Sequence, residues 1–372
     1  MRCDVLAFAR RSALALCFAL TCGAAAQATP LAVRVVVVTT FEIGTDTDAV
    51  PGEFRAWVER FPLPETIAFP AGYRRLRYDP RLHVLGIVTG EGAERGAASI
   101  MGLGLDPRFD LSHAYWVVAG IAGVDPRVAS VGSAAWARYV VNGDLAYDVD
   151  ARQLPPGWST GIVPLDTSVP FAKPAPPADS MEGTSAYALD RTLADFAYRL
   201  TAAVPLADDA TLRSIRAGYP ARSAARRPPF VLEGDDLAAD RFWIGDRMNA
   251  WAERWVRYWT RGRATFAMSD EEDAGILQAL TFLDHAHRAD VRRVLVLRTA
   301  SDYTLPRRGE TIARLLARDA GTDSLSAYRE SLEAAYRVGS VVVREIASHW
   351  SRYELRIPGV ALTRKSRTAM RT

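Results

Sequence analysis

The chain has very little cysteine. Its three, Cys3, Cys17 and Cys22, all fall near the N-terminus of a 372-residue sequence. The rest of the chain therefore has no disulfide framework, no thiolate metal site and no cysteine nucleophile. Histidine is scarce as well, with five in all, and His285-Ala286-His287 matches no zinc-binding spacing. An H-E-x-x-H element is absent, as is the G-x-S-x-G turn that would present a serine nucleophile. Charge of one sign is also missing: a formal net charge of +3 is too small to argue for nucleic acid as a partner. Past the N-terminus no stretch approaches the roughly 18 consecutive apolar residues of a spanning helix. A full dinucleotide fingerprint is lacking too. In Gly90-Glu91-Gly92-Ala93-Glu94-Arg95, Arg95 stands where the third glycine belongs, so the stretch reads as a tight turn. Neither a metal nor a cofactor is expected.

What is present starts with a processing signal. Arg2, Arg10 and Arg11 form a basic region, Ser12 to Leu20 an apolar one, and Ala26-Gln27-Ala28 a small-residue cleavage site. Residues 1–28 read as a signal peptide, so the mature protein is expected to be exported, periplasmic or extracellular. Residues 29–362 read as one domain and residues 363–372 as a basic tail. Leu31 to Thr39 is a β-branched run suited to a buried parallel strand. Leu82 to Val88, Tyr115 to Val118, Tyr139 to Val141 and Phe230 to Leu232 read as further strands. Glu53 to Phe61, Ala93 to Leu103, Tyr187 to Val204, Ala210 to Gly218, Thr311 to Ala317 and Ser326 to His349 read as helices. Leu154 to Asp179 reads as a long loop. The alternation predicts a three-layer α/β/α fold with a mainly parallel twisted sheet.

Two elements carry candidate chemistry. Val294 to Leu297 is an apolar strand that runs into Arg298-Thr299-Ala300-Ser301-Asp302. In open α/β sheets ligands bind beyond the carboxyl ends of strands, which makes Asp302 a candidate acid or base. Ser269-Asp270-Glu271-Glu272-Asp273 opens a helical run and brings more carboxylates. The Gly120-Ile121-Ala122-Gly123 stretch reads as a strand-to-loop turn where backbone could approach a ligand. Trp251, Trp255 and Trp259 recur every fourth residue, interleaved with Arg254, Arg257 and Arg261. They read as a core or subunit-interface stripe, which keeps a homo-oligomer open.

Five stretches in this order resemble the purine nucleoside permease family, related to the nucleoside phosphorylases and nucleosidases. They are Thr39-Thr40-Phe41-Glu42, Val118 to Pro126, Gly234-Asp235, Glu272-Asp273-Ala274-Gly275 and Leu297 to Asp302. The resemblance implies a nucleoside phosphorylase-like fold and a purine nucleoside as ligand. In the enzymes of that superfamily a Met-Glu at a helix start binds the ribose hydroxyls, which puts that role on Glu272, with Glu271 in place of the Met. A strand-end Ser-Asp protonates the purine at N7, which puts that role on Asp302, beside Ser301. Gly120, Ala122, Gly123, Phe242, Trp243 and Asp273 complete the expected nucleoside site. Other positions depart from the pattern. The phosphate-binding Arg and Ser fall on Val118 and Ile121, an apolar pair that cannot hold a phosphate dianion. The water-activating Glu falls near Glu42 but out of register, with Gly44 in its place and Asp46 or Asp48 as substitutes. Glu182 mimics the Met-Glu motif too early in the chain and reads as a helix-start residue. The expectation is nucleoside capture for uptake. The alternative is cleavage of the glycosidic bond by water or by inorganic phosphate.

Overall fold

Val35 to Val38 show how the layers arise. In the computed structural model of the protein, which describes residues 29–359 apart from 47, 166, 181–182 and 321–325, these valines form the strand β1 (Val35–Thr39). Successive strand side chains point to opposite faces. Val36 and Val38 accordingly enter one hydrophobic core, and Val35 and Val37 enter another. A run that is apolar at every position therefore needs cover on both sides, and helices supply it. The site depends on the following elements: α1 (Arg55–Arg60), β2 (Val84–Val88), α2 (Ala93–Gly104), β3 (Tyr115–Val124), β4 (Asp235–Ala238), α3 (Asp246–Trp259), β5 (Phe266–Asp270), α4 (Asp273–His285), β6 (Val294–Tyr303), α5 (Ile312–Asp319) and α6 (Tyr328–Ser348).

One face of the sheet packs on α2 and α4 through Ile100, Leu103, Ile276, Leu280 and Leu283. The other face packs on α1 and α6 through Trp57, Val338, Val342 and Ile346. The sheet order is Ala186–Ala188, Tyr139–Asn142, β4, β5, β3, β1, β2, Leu76–Asp79 and Glu65–Ile67. β6 joins β3 in parallel and also carries Ala134–Trp136. The central pairings β1–β2, β1–β3, β3–β6 and β4–β5 are parallel. β3–β5 and both pairings of the Leu76–Asp79 strand are antiparallel. The fold is thus α/β in three layers with a mixed sheet.

Several elements differ from expectation. Leu31–Ala32 splits from β1 and pairs with Phe109–Asp110. β3 continues through Gly120-Ile121-Ala122-Gly123 to Val124, so the expected turn is strand. The helix expected from Tyr187 starts at Arg191, where the Asp190 carboxylate accepts from Thr192 N and Leu193 N; such a cap fixes the start. The loop expected over 154–179 contains a strand, Ile162–Pro164. Residues 1–28, Glu182 and residues 363–372 lie outside the described residues, and with them the expected signal peptide, helix start and basic tail. No helix among the described residues is long and apolar enough to cross a membrane.

Candidate functional site

The site begins at a gap in a hydrogen-bond ladder. One edge of β3 pairs with β1 as far as Val118. The same strand meets β5 only at Gly123 and Val124. Between them Ile121 bonds to side chains instead. Its N–H donates to Glu53 Oε1 at 2.7 Å, and its carbonyl accepts from Arg298 Nη1 at 3.1 Å. Glu53 comes from the loop before α1, and its Oε2 accepts from Thr40 N at 2.7 Å and Thr40 Oγ1 at 3.0 Å. Gly120 makes room for both: a Cβ there would lie 2.5 Å from Arg298 Nη1 and 2.6 Å from Glu53 Oε1. A break between neighbouring strands at the carboxyl edge is where α/β sheets open a crevice.

The second feature is a bulge in β6. Ala300 pairs with Ala122 and Asp302 with Gly123, leaving Ser301 as the extra residue. Consecutive strand residues normally face opposite ways, and a bulge re-aims them. Ser301 and Asp302 consequently both line one cleft. Ser301 Oγ lies 2.8 Å from Asp302 Oδ1 and 3.1 Å from the Ala122 carbonyl. One hydroxyl proton cannot serve both acceptors. When Asp302 is protonated, its carboxyl can donate to Ser301 and Ser301 to Ala122. Burial pushes the Asp302 carboxyl up to about 7, with Ser301 and Arg318 pulling it down and Asp319 adding to the rise.

Arg298 sits among carboxylates. It is 2 % exposed. Nε donates to Asp273 Oδ2 at 3.0 Å, and Nη2 donates to Asp273 Oδ1 at 2.6 Å and Glu272 Oε2 at 3.0 Å. Asp270 Oδ2 lies 3.5 Å from Nε. Burial opposes the guanidinium's charge, but Asp270, Asp273 and Glu272 hold it well above its ordinary value. Asp270 Oδ1 accepts from Glu272 N at 2.7 Å and Asp273 N at 2.9 Å, so it caps the start of α4. Burial pushes Glu272 well above the carboxylate range, as it does Asp236, which Asp270 raises further. Oxygens of Asp236, Asp270 and Asp273 lie within 4.8 Å of one another. Arg298 already supplies that cluster's positive charge, and a proton between Asp236 and Asp270 accounts for their approach. Gly275 lets α4 close on α2, because a Cβ there would lie 2.0 Å from the Ala93 carbonyl oxygen.

These parts enclose a cleft of about 530 Å³. Of the expected residues, Ala122, Gly123, Phe242, Glu272, Ser301 and Asp302 line it. Three do not. Gly120 lies behind Arg298 and Glu53. Asp273 is fully buried beneath Arg298. Trp243 packs in a separate core, its ring 5.9 Å from that of Trp251 and 5.8 Å from that of Phe266, whereas Phe242 next to it is half exposed on the cleft. The carboxylates expected after β1 also turn elsewhere. Glu42 accepts from the backbone N–H groups of Gly52, Phe54 and Arg55. Asp46 pairs with Arg77 at 2.8 Å, and Asp48 accepts from Thr45 N at 2.7 Å. Glu53 takes their place in the cleft. Burial raises its carboxyl, and Arg298 and Thr40 work against that rise. Neither Glu53 nor Arg298 stood out in the sequence as a site residue. Arg298 had a signal, since a lone guanidinium in a strand buried on both faces requires carboxylate partners. The Gly90-Glu91-Gly92 turn forms with both glycines at φ +91°. The helix it opens has its first N–H, that of Ala93, taken by Asp240 Oδ1 at 2.6 Å.

The family profile of the purine nucleoside permeases (NUP) matches residues 32–358. The chain belongs to that family. It is 30% identical over 285 residues to a probable purine nucleoside permease of Schizosaccharomyces pombe, covering 75% of this chain and 80% of that one. With the purine nucleoside permease of Candida albicans it shares 26% identity over 313 residues, 80% of this chain and 72% of that one. Among solved structures it resembles the 5'-methylthioadenosine/S-adenosylhomocysteine nucleosidase of Neisseria meningitidis. That likeness has a TM-score of 0.46 and 14% identity over 84% of this chain and 99% of the other. It also resembles futalosine hydrolase of Helicobacter pylori, with a TM-score of 0.48 and 11% identity over 85% and 97%. Both likenesses are distant, and the fold class rests on the sheet order itself.

Proposed function

We propose that the strand-end cleft binds a purine nucleoside and that the protein acts in nucleoside uptake as an exported binding component. The observation that carries this reading is the Ser301 bulge, which brings the Asp302 carboxyl, raised to about 7 by burial, into a cleft that also holds Glu272 and aromatic side chains. A protonated carboxyl donates to a purine ring nitrogen. Phe41, Phe242 and Tyr328 offer apolar ring surface to the base. Glu272, held in place by Arg298 Nη2, offers carboxyl oxygens that can hydrogen-bond a ribose diol. Export rests on the N-terminal pattern of basic, apolar and small residues.

A second reading, cleavage of the glycosidic bond, is favoured by one specific observation. Asp302 titrates near neutrality and shares the cleft with another buried carboxylate, Glu53. In that reaction Asp302 gives its proton to N7 and the base leaves with the bond's electron pair. Water attacks the sugar carbon and passes a proton to Glu53. General acid catalysis of this kind contributes about 10²–10⁴-fold. Purified protein incubated with inosine or adenosine, with and without phosphate, separates the readings. Saturable binding without base release supports capture, and release without phosphate supports hydrolysis. In the second case Asp302→Asn should cut turnover by ~10²–10⁴-fold while leaving binding nearly unchanged. Absence of any saturable nucleoside binding contradicts both.

A further inference from the structure

The tryptophan and arginine stripes on α3 separate cleanly. Trp251, Trp255 and Trp259 are buried with Phe266 and Leu237 in one core. Arg254 and Arg257 face outward on the same helix, and Arg261 follows just past its end. Together with Lys173 they line a groove of about 600 Å³, whose other walls include Phe171 and Tyr258. Arg254 lies over the Phe171 ring at 4.1 Å and donates to Ser159 Oγ at 2.6 Å.

Four cations thus face one groove, and none of the four has an ion-pair partner among the described residues. The acid nearest in sequence on α3, Glu253, pairs with Arg127 instead. Like charges gathered at one groove without counter-charge repel one another, and an anion in the groove would relieve that repulsion. The negative end of the α3 dipole amounts to only about half a charge, which the four full positive charges outweigh. The Tyr258 hydroxyl adds a buried polar atom with no hydrogen-bond partner among the described residues.

The backbone at Arg261 points the same way. Gly262 N donates to the Arg257 carbonyl at 2.7 Å and Arg261 N donates to the Tyr258 carbonyl at 3.2 Å. These two bonds close α3 with a Schellman turn, whose left-handed position glycine usually fills. Here Arg261 holds it, at φ +52°, although Gly262 stands next to it. A side chain kept at a strained backbone position is a pointer to function.

We propose that this groove is a second binding site, for a phosphate or diphosphate group, separate from the strand-end cleft. Planar guanidinium groups at fixed spacing suit phosphate oxygens, which they can grip with two parallel bonds. The group is carried either by a small dissolved molecule or by a phospholipid headgroup.

The test uses the full chain. Pyrophosphate is titrated calorimetrically, and in parallel the protein is sedimented with phosphatidylcholine vesicles with and without phosphatidylglycerol. Saturable pyrophosphate binding without vesicle capture assigns the site to a dissolved phosphate ligand. Capture by the phosphatidylglycerol vesicles alone assigns it to a headgroup. Arg257→Glu should weaken the interaction by about tenfold or more, the scale of a lost charge-assisted contact. Arg261→Gly should also weaken it, while the melting temperature stays level or rises, because glycine suits the left-handed position. Inosine binding should be unaffected by either substitution. If neither probe binds, or if both variants bind as the unmodified chain does, the proposal is overturned.

Discussion

The two halves of β6 are buried alike and built from opposite chemistry. Val294 to Leu297 are 0–1% exposed and wholly apolar, packed into the cores on either side of the sheet. Arg298, Thr299, Ser301 and Asp302 are 0–2% exposed and polar. The first half follows the ordinary rule that apolar surface removed from water stabilises the fold. The second half tolerates burial because most of its polar groups are matched. Thr299 Oγ1 donates to the Ser331 carbonyl at 2.8 Å, Arg298 is surrounded by carboxylates, and Ser301 joins β3 to Asp302. Asp302 is the exception: among the described residues it has one side-chain hydrogen-bond partner, Ser301, and it faces a cleft. The difference shows that depth does not separate core from site in this strand. Hydrogen-bond and charge matching do.

If that comparison holds, breaking the charge network should cost more than trimming the core. Arg298→Met leaves Asp273, Glu272 and Asp270 buried without their cation. It should destabilise the protein by about 3–5 kcal/mol, the usual result of removing one partner of a buried ion pair. A loss below 1 kcal/mol in denaturant unfolding would show that the cluster does not need the cation.

The next effect is pH-dependent and reveals the unmatched group. Asp302 has a folded-state pKa near 7, against an unfolded value of about 3.9. Between those values the folded protein holds a proton that the unfolded chain has released, so stability falls as pH rises through this window and then levels off. The total penalty is on the order of 4 kcal/mol. Asp302→Asn removes it. The variant should melt higher than the unmodified protein at pH 8 and nearly the same at pH 4. A variant that melts lower at pH 8 contradicts the assignment. In the apolar half, Leu297→Ala opens a cavity beside Gly339 of α6, which lies near the Leu297 Cδ2 atom, and should cost roughly 3 kcal/mol at any pH. A pH-dependent loss at Leu297 would erase the contrast between the halves.

Much of the frame was legible because burial leaves a pattern. The valine run of β1, the α2 helix between Gly92 and Leu105, and the strand running into Asp302 follow from periodicity and turn residues alone. The misses share one cause. Glu53 reaches Ile121 across 68 residues of sequence, and no local pattern encodes that contact. Gly120 to Gly123 read as a turn because glycines usually mark one. In the fold they sit in a strand whose neighbours need room for Glu53 and Arg298. Phe242 and Trp243 are adjacent and both aromatic, yet one faces the cleft and the other the core, a choice made by packing against Trp251 and Phe266. Ser301-Asp302 could be placed at a strand end, but the bulge that turns both residues into the cleft appears only in the register with β3.

The smallest effect tests the central claim, that this cleft binds a nucleoside through its sugar as well as its base. Inosine and hypoxanthine differ by the ribose alone. Calorimetric binding of both should be measured on the unmodified protein, on Glu272→Ala and, as the milder change, on Glu272→Gln. Inosine affinity should fall by about 0.5–1.5 kcal/mol in Glu272→Ala, the net scale of a hydrogen bond to an uncharged group, with hypoxanthine affinity nearly unchanged and Glu272→Gln in between. Equal losses for inosine and hypoxanthine, or no loss for either, would contradict the account.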